Sequence, residues 1–420
     1  MLFHFIQGLF SPTPQQETTR RIERYEEFRD EMKRNFIFSF AFRSLIRNFA
    51  GMKPYLVDIP VLILFFNRPQ QLGQVFAQVK EARPSRLFLY QDGPRNDADL
   101  PGIQACRDIV AQIDWECEVE TLFQEKNFGC DPSEFISQKW AFSRVEKCVV
   151  LEDDDVPSVS FFSFCKEMLD RYQDDERITM ISGFNIEEQT DDVEGDYFFT
   201  TNFSIWGWAS WRRVVDQWDE HYTWLDNPVA VRQLEELIRE RGYRDDFLPM
   251  CRKHREQGKA FYETIFWSHL LLSNGLAIVP RKNMINNLGA TADSTHFGGS
   301  LETMPRGYRR IFTMKRYELP FEVKSEELRV KNKSNHTADE TNSDSSFFIL
   351  NSSFKHPPYI VEHVAYRKRA YRIMGWMCPM TKIARSIEEL ALNLRYGNFS
   401  FIFKSIRNRI NKWLGKEAYR

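Results

Sequence analysis

Along the middle of this 420-residue chain, short wholly apolar runs alternate with stretches whose apolar positions recur at helical spacing. Val61–Phe66 reads VLILFF; Leu72, Val75, Phe76 and Val79 follow at i, i+3, i+4 and i+7; Leu87–Tyr90 is apolar again. A run too short for a helix, then one amphipathic helix, then a second run predicts strand, helix, strand. The alternation continues with a helix near Leu100–Ile113, a strand near Cys117–Phe123, a helix near Ser133–Val145 and a strand through Val149, Val150 and Leu151. Beyond it the pattern predicts a helix over Ser160–Tyr172, a strand at Ile178–Ile181 and a mostly extended aromatic segment over Phe198–Trp211. Helices follow around Val229–Arg241 and Thr264–Leu272, with a strand at Leu276–Val279. Strands separated by single helices need crossover connections, so the expected class is α/β, a Rossmann-like, mostly parallel central sheet with helices on both faces.

The ends of the chain read differently. Residues 1–55 are expected to form a helical N-terminal extension, because Glu17–Ala50 is charged and then aromatic without turn signals. The α/β domain takes 56–323. The polar, aperiodic stretch from Lys324 to Ser346 marks 324–354 as a linker or long surface loop, and 355–420 as a basic amphipathic tail. From Lys355 onward there are fourteen Lys and Arg against four Glu and no Asp, interleaved with Trp376, Phe399, Phe401, Phe403 and Trp413. Two readings fit such a tail: an anionic membrane surface as partner, or a basic helix packed on the domain or on another protein.

Whole-chain properties narrow the setting. A formal net charge of −2 gives no global field that would draw nucleic acid, so none is expected as a partner. Seven scattered cysteines without C-x-x-C spacing suggest neither a disulfide framework nor a zinc site and fit a reducing compartment. No stretch is long and apolar enough to span a bilayer, which leads us to expect a cytoplasmic protein, either free or peripheral on the inner membrane face.

The chemistry concentrates where strands end. Ligands of parallel sheets bind at the carboxyl ends of strands. Those ends carry Asn67 and Arg68, then Asp92 and Gly93, then Asn127–Gly129, and finally four consecutive acids, Glu152, Asp153, Asp154 and Asp155. Like charges so packed raise one another's pKa unless a positive partner sits among them. Mn²⁺ or Mg²⁺ is the economical partner, and such an ion usually keeps positions open for phosphate oxygens, which points to a diphosphate. A solvated acidic turn leading into the next helix is the plainer alternative. No G-x-x-x-x-G-K-[ST] loop is present, the turn after the first strand lacks the dinucleotide-binding glycines, and DDDVP is not the D-x-D-x-[ST] of a first-strand phosphatase motif.

VPVLILFFNRP, LFLYQDGPR, EKNFGC and VVLEDDDVPSVSFFSF occur here in the order and spacing of nucleotide-sugar glycosyltransferases of the GT-A fold. Over roughly Asp58–Gly299 the chain resembles the Golgi N-acetylglucosaminyltransferases with a Glu-Asp-Asp version of the D-x-D motif, and related bacterial sugar transferases. The resemblance implies that Asp154 holds the metal against the donor diphosphate, with Asp155 as an extra ligand, and that Glu152 and Asp153 belong to the donor site. It also implies that Arg68, beside Asn67, meets donor phosphate, that Asp92 reads the uracil, and that Asn127 and Gly129 line the donor site. FSIWGWASWRR resembles the acceptor-side segment, making Trp206, Gly207 and Trp208 candidates for stacking on a sugar; core packing is the ordinary use of such residues. Glu263 resembles the carboxylate that acts as general base, although this chain has Glu for Asp and Tyr262 for Trp; a favourable first-turn charge on a helix is its plainer reading. His296, in GATADSTHFGG, resembles the histidine of the D-A-T-H motif of the bacterial relatives, which implies a place in the metal shell or against the diphosphate; a surface-loop histidine is its plainer reading.

The expected function is a metal-dependent inverting transfer of a sugar from a nucleoside-diphosphate donor, UDP-sugar first, to a hydroxyl of a glycan or lipid-linked acceptor. A metal-dependent nucleotide-sugar phosphohydrolase and a non-catalytic, membrane-associated scaffold are the alternatives.

Overall fold

The structure is a computed structural model and describes residues 52–290, 300–319, 354–403 and 406–407. The predicted helices over Glu17–Ala50, the stretch Lys324–Ser346 and His296 lie outside them.

Strand β1 (Val57–Phe65) sits between β2 (Pro84–Gln91) and β4 (Lys147–Glu152), and β3 (Glu118–Phe123) pairs with β2; all four run parallel. Residues on β1, β2 and β4 that face neither edge nor water explain the unbroken apolar runs: Val61, Leu62, Ile63, Leu87, Val149 and Leu151 are wholly buried. The crossovers are helices α1 (Pro69–Ala82), α2 (Leu100–Val110) and α3 (Cys130–Phe142), each within a few residues of its predicted position. In α1 the buried positions are those the spacing marks, Leu72, Val75, Phe76 and Val79.

Past β4 the sheet becomes mixed. The eight strands run in the order β3-β2-β1-β4-β8-β6-β9-β7. Strand β8 (Trp208–Trp211) inserts antiparallel between β4 and β6 (Ile178–Ser182), and β7 (Tyr197–Thr200) closes the far edge antiparallel to β9 (Leu276–Pro280). The extended aromatic segment is therefore two strands from different parts of the sheet. Helix α4 (Val159–Arg171) lies between β4 and β6 in sequence, preceded by the short strand β5 (Asp155–Pro157), which pairs antiparallel with β10 (Ile285–Asn287) in a separate two-stranded ribbon.

Three helices build the wall beside β8: α5 (Pro228–Leu237), α6 (Arg241–Gln257) and α7 (Tyr262–Leu272). Asn227 caps α5 by accepting from the amides of Val229 and Ala230. Helix α6, strongly polar and holding Pro249 in its interior, is absent from the sequence expectation. At the C-terminal end, α8 (Val364–Ile373) packs on the domain. Arg367, buried, pairs with Glu240 and Glu362, and Arg369 with Glu187 and Asp192; Glu362 in turn accepts from the Thr201 amide. The first part of the basic tail thus spends its charge on the domain's own acids, one of the two readings open for it. The next helix of the tail is α9 (Pro379–Arg395).

Candidate active site

The order 3-2-1-4 places the reversal of strand order between β1 and β4, the crevice where open parallel sheets take ligands. Register makes the meeting specific. Leu64 of β1 is opposite Glu152 of β4, so the residues just beyond both strands come together. The Phe66 amide donates to Asp153 at 3.3 Å, and the Arg68 guanidinium, on the turn into α1, pairs with Asp153 and, at 2.9 Å, with Asp154. Burial opposes a charged Arg68, yet the two carboxylates hold its pKa above the ordinary guanidinium value.

One arginine does not balance this cluster. Burial pushes Glu152, Asp153 and Asp155 upward, and their neighbouring acids add to the effect. Asp155 is fully buried and engaged on both oxygens, accepting from the Gly207 amide at 2.9 Å and from Asn287 Nδ2 at 3.0 Å. It ties β8 and β10 to the end of β4. Asp154 keeps more capacity: it accepts from Asn287 at 3.3 Å and faces Gly289, where a Cβ would come within 2.7 Å of its Oδ2. The Leu288 amide donates to the Asp154 carbonyl at 2.8 Å, which seats the residue after β10 directly against the acids.

The donor set suits a hard divalent cation. Carboxylate oxygens outnumber the one cation, Arg68, that pairs with them.

A second group of acids flanks the first. Asp131 and Glu134 of α3 and Glu263 of α7 bring carboxylate oxygens within 4.8 Å of one another. Glu134 is 3 % exposed, and burial, then the Glu263 charge, raise its pKa well above the usual carboxylate range. Its Oε1 accepts from Cys130 Sγ at 3.3 Å, while its Oε2 has no hydrogen-bond partner among the described residues. Tyr262 links the two groups, its hydroxyl donating to Glu152 at 3.3 Å.

The first turn of α7, which carries Glu263, is anchored from behind. Thr264 Oγ1 meets Tyr222 OH at 2.6 Å and His254 Nδ1 at 2.8 Å, and the His254 ring stacks on Phe261 with centroids 3.8 Å apart. Burial lowers the His254 pKa to about 4. A histidine whose pKa is depressed on folding leaves the unfolded chain binding the extra proton, so its stabilisation is complete above about 6.5 and is lost as pH falls toward 4. After allowance for its partial exposure the loss is about 1–2 kcal/mol. His254→Gln is therefore expected to gain on the wild type, in melting temperature compared pairwise, as pH is lowered from 7.5 to 5; a difference independent of pH would contradict a neutral, buried His254.

The remaining expected residues fall in three places. Asp92 is buried at the end of β2, where Oδ1 accepts from the Gly93 and Phe128 amides at 2.9 Å and Oδ2 from Asn127 Nδ2 and the Gly129 amide at 2.8 and 3.0 Å. Burial raises its pKa and these donors pull it back. Asn127, Gly129 and Asp92 thus form one loop clasp at the strand ends. Asn67 turns the other way, donating to Asp99 at 2.7 Å. Trp206 is half-buried, edge-on to Phe184 at 4.9 Å and tilted against Phe312 at 5.2 Å. Trp208 is a correction to the acceptor-side expectation. Its indole is wholly buried, stacked between Phe142 and Tyr262 in the core, so no face remains for a sugar. Gly207 has φ +61 and an added Cβ would lie 2.5 Å from Ile285, so its place is fixed by the close approach of β10.

No protein-family model matches the chain, and no curated protein matches it. Among solved structures it is similar to a 4-diphosphocytidyl-2C-methyl-D-erythritol synthase from Anaerococcus prevotii, at 9% sequence identity and a TM-score of 0.24, over 41% of this chain and 77% of that one. An overlap that loose carries no weight for function, and the α/β class rests on the strand order itself.

Glu134, Asp131 and Asn287 are the site residues that sequence reasoning missed. Glu134 had a faint signal: it recurs with Gln138 and Phe142 at four-residue spacing, which places an acid on the buried face of α3.

Proposed function

We propose that this chain is a metal-dependent inverting glycosyltransferase of the GT-A fold, taking a sugar from a nucleoside-diphosphate donor, UDP-sugar first, to a hydroxyl of a glycan or lipid-linked acceptor. The observation that carries the reading is the meeting of Arg68, Asp153 and Asp154 at the β1/β4 switch point with a flanking, differently placed carboxylate, Glu263, on α7. The first three suit a diphosphate and its cation; the last suits a base. Seven free cysteines accord with a cytoplasmic setting.

In this reading Arg68 contacts the donor phosphates as charge grows on the departing diphosphate oxygen. Asp154 and Asp153 would hold a divalent ion, which would supply further positive charge at the diphosphate. Glu263 accepts the proton of the acceptor hydroxyl while that oxygen bonds to the anomeric carbon from the face opposite the leaving group, and the bond to the diphosphate breaks. Tyr262 orients Glu152, and Asp155 with Asn287 fixes the backbone beneath the acids. Trp206 offers the exposed aromatic edge on the acceptor side.

The test is a thermal-shift screen of nucleotide sugars with and without Mn²⁺. UDP-sugars are expected to raise the melting temperature only when the cation is present, by the mass-action amount of about 2–4 kcal/mol at saturating ligand. Stabilisation by neither nucleotide nor cation would refute the reading, and release of free sugar at a rate indifferent to acceptors would reassign the site to hydrolysis.

A further inference from the structure

A surface helix ordinarily buries its apolar stripe and leaves its charges in water. Helix α9 does the reverse. Lys382 pairs with Asp246 of α6 at 2.7 Å, Arg385 donates to the Tyr308 hydroxyl and the Met374 carbonyl, and Glu388 holds Arg306 at 2.8 Å, so its polar side is the one seated on the domain. Met380, Ile383, Ile387, Leu390 and Leu394 recur at alternating spacings of three and four, one continuous row on the opposite side. All five are exposed, Met380 at 69% and Ile387 at 62%. Beyond the helix Phe399, Phe403 and Ile406 are exposed as well. Ten of the nineteen exposed large apolar side chains among the described residues lie between Met380 and Ile406, a continuous patch rather than the scatter a soluble surface carries.

The charge along this segment identifies what covers it. From Leu390 to Lys416 the sequence has six Lys or Arg and no acid, interleaved with aromatic residues. A second copy of the chain lying along the same segment would set these cations against their own kind. An anionic lipid surface complements both features, taking the apolar row at the boundary of headgroups and acyl chains and the cations at the phosphates. Among the described residues no helix is long and apolar enough to cross a membrane, so the helix would lie on the surface.

We propose that α9 forms a docking surface for an anionic lipid bilayer, with the row Met380 to Leu394 as its apolar anchor. Because lipid binding is read without turnover, the proposal stands or falls separately from the transferase reading.

The experiment is co-sedimentation of the full chain with vesicles of phosphatidylglycerol mixed with phosphatidylcholine, against vesicles of phosphatidylcholine alone. The wild type is expected to bind the anionic vesicles about tenfold more strongly, and to lose that preference at high salt. The double variant Ile387→Asp with Leu390→Asp touches only exposed positions, so it should keep the wild-type melting curve while losing about tenfold or more of vesicle binding. As a second probe, Arg395→Glu with Arg407→Glu should remove the preference for anionic lipid. Absence of binding to anionic vesicles would overturn the proposal, as would vesicle binding unchanged in the apolar double variant. A lipid-free dimer that the double variant dissolves, without lipid binding by the wild type, would reassign the face to a second copy of this chain.

Discussion

Asp154→Asn is expected to abolish detectable sugar transfer and to erase the Mn²⁺-dependent stabilisation by UDP. The residue faces three ways: toward Arg68 at 2.9 Å, toward Asn287 at 3.3 Å and toward the bare backbone of Gly289. An amide in its place keeps the size but removes the charge that a divalent ion requires, and it points N–H groups where Arg68 and Asn287 already donate. Loss of an electrostatic stabiliser of this kind costs at least about 10²–10³ in kcat, or about 3–4 kcal/mol, and loss of the ion itself costs more. Two measurements separate the effects: turnover with a UDP-sugar, and the melting temperature with UDP and Mn²⁺ together. A variant that keeps the full cation-dependent shift would show that the acids past β4 do not hold the ion.

Asp155→Asn should behave differently, although it is the neighbouring residue. Its carboxylate is spent on Gly207 and Asn287, so the change acts on the junction of β4, β8 and β10. That Asp155 is spent on the backbone and on Asn287 rather than left for a ligand was not legible in the sequence, where it is one of three consecutive aspartates. It appears once β10, three residues long and without a distinctive pattern, is seen to lie along β5. Short strands are set by their neighbours more than by their own composition.

What was legible follows the same logic in reverse. Strands buried on both faces announce themselves as apolar runs, and helices that cover a sheet keep a strict apolar spacing, so β1 to β4 and α1 to α4 stand close to their predicted places. The polar residues at the strand ends were readable as a group, because a parallel sheet gathers its carboxyl ends on one edge. The antiparallel insertion of β8 was not readable, since Trp208–Trp211 is a short strand and nothing local states which neighbour it pairs with. Trp208 shows the cost: the aromatic segment reads equally well as a sugar platform or a core, and tertiary packing against Phe142 and Tyr262 decided for the core. Helix α6 escaped because its polarity and Pro249 argue against a helix, while a few buried anchors, Tyr243, Phe247 and Cys251, hold it to the domain.

The active-site acids then divide by their surroundings into two sets. Those beyond β4 face Arg68, and those of α3 and α7 bring three carboxylates together in a group that could itself hold a metal ion. Environments that push carboxyl groups apart in proton affinity are how one site holds both an acid form and a base form at neutral pH. Burial and the neighbouring Glu263 charge raise the Glu134 pKa well above the usual carboxylate range.

Glu263→Gln is accordingly expected to lower kcat by about 10²–10⁴ while leaving the donor KM within about twofold, because the amide cannot take the acceptor's proton yet leaves Arg68 and the acids past β4 untouched. Glu134→Gln provides the internal contrast. A glutamine is neutral and nearly the same shape as a protonated glutamic acid, so if Glu134 carries its proton the substitution should change kcat by no more than about threefold. The two variants differ by one position in a group of carboxyl oxygens lying within 4.8 Å, so electrostatic damage to the neighbourhood would strike both. Full turnover in Glu263→Gln would remove it as the base. A comparable collapse in Glu134→Gln would show that the charge of the group as a whole, rather than one proton acceptor, carries the reaction.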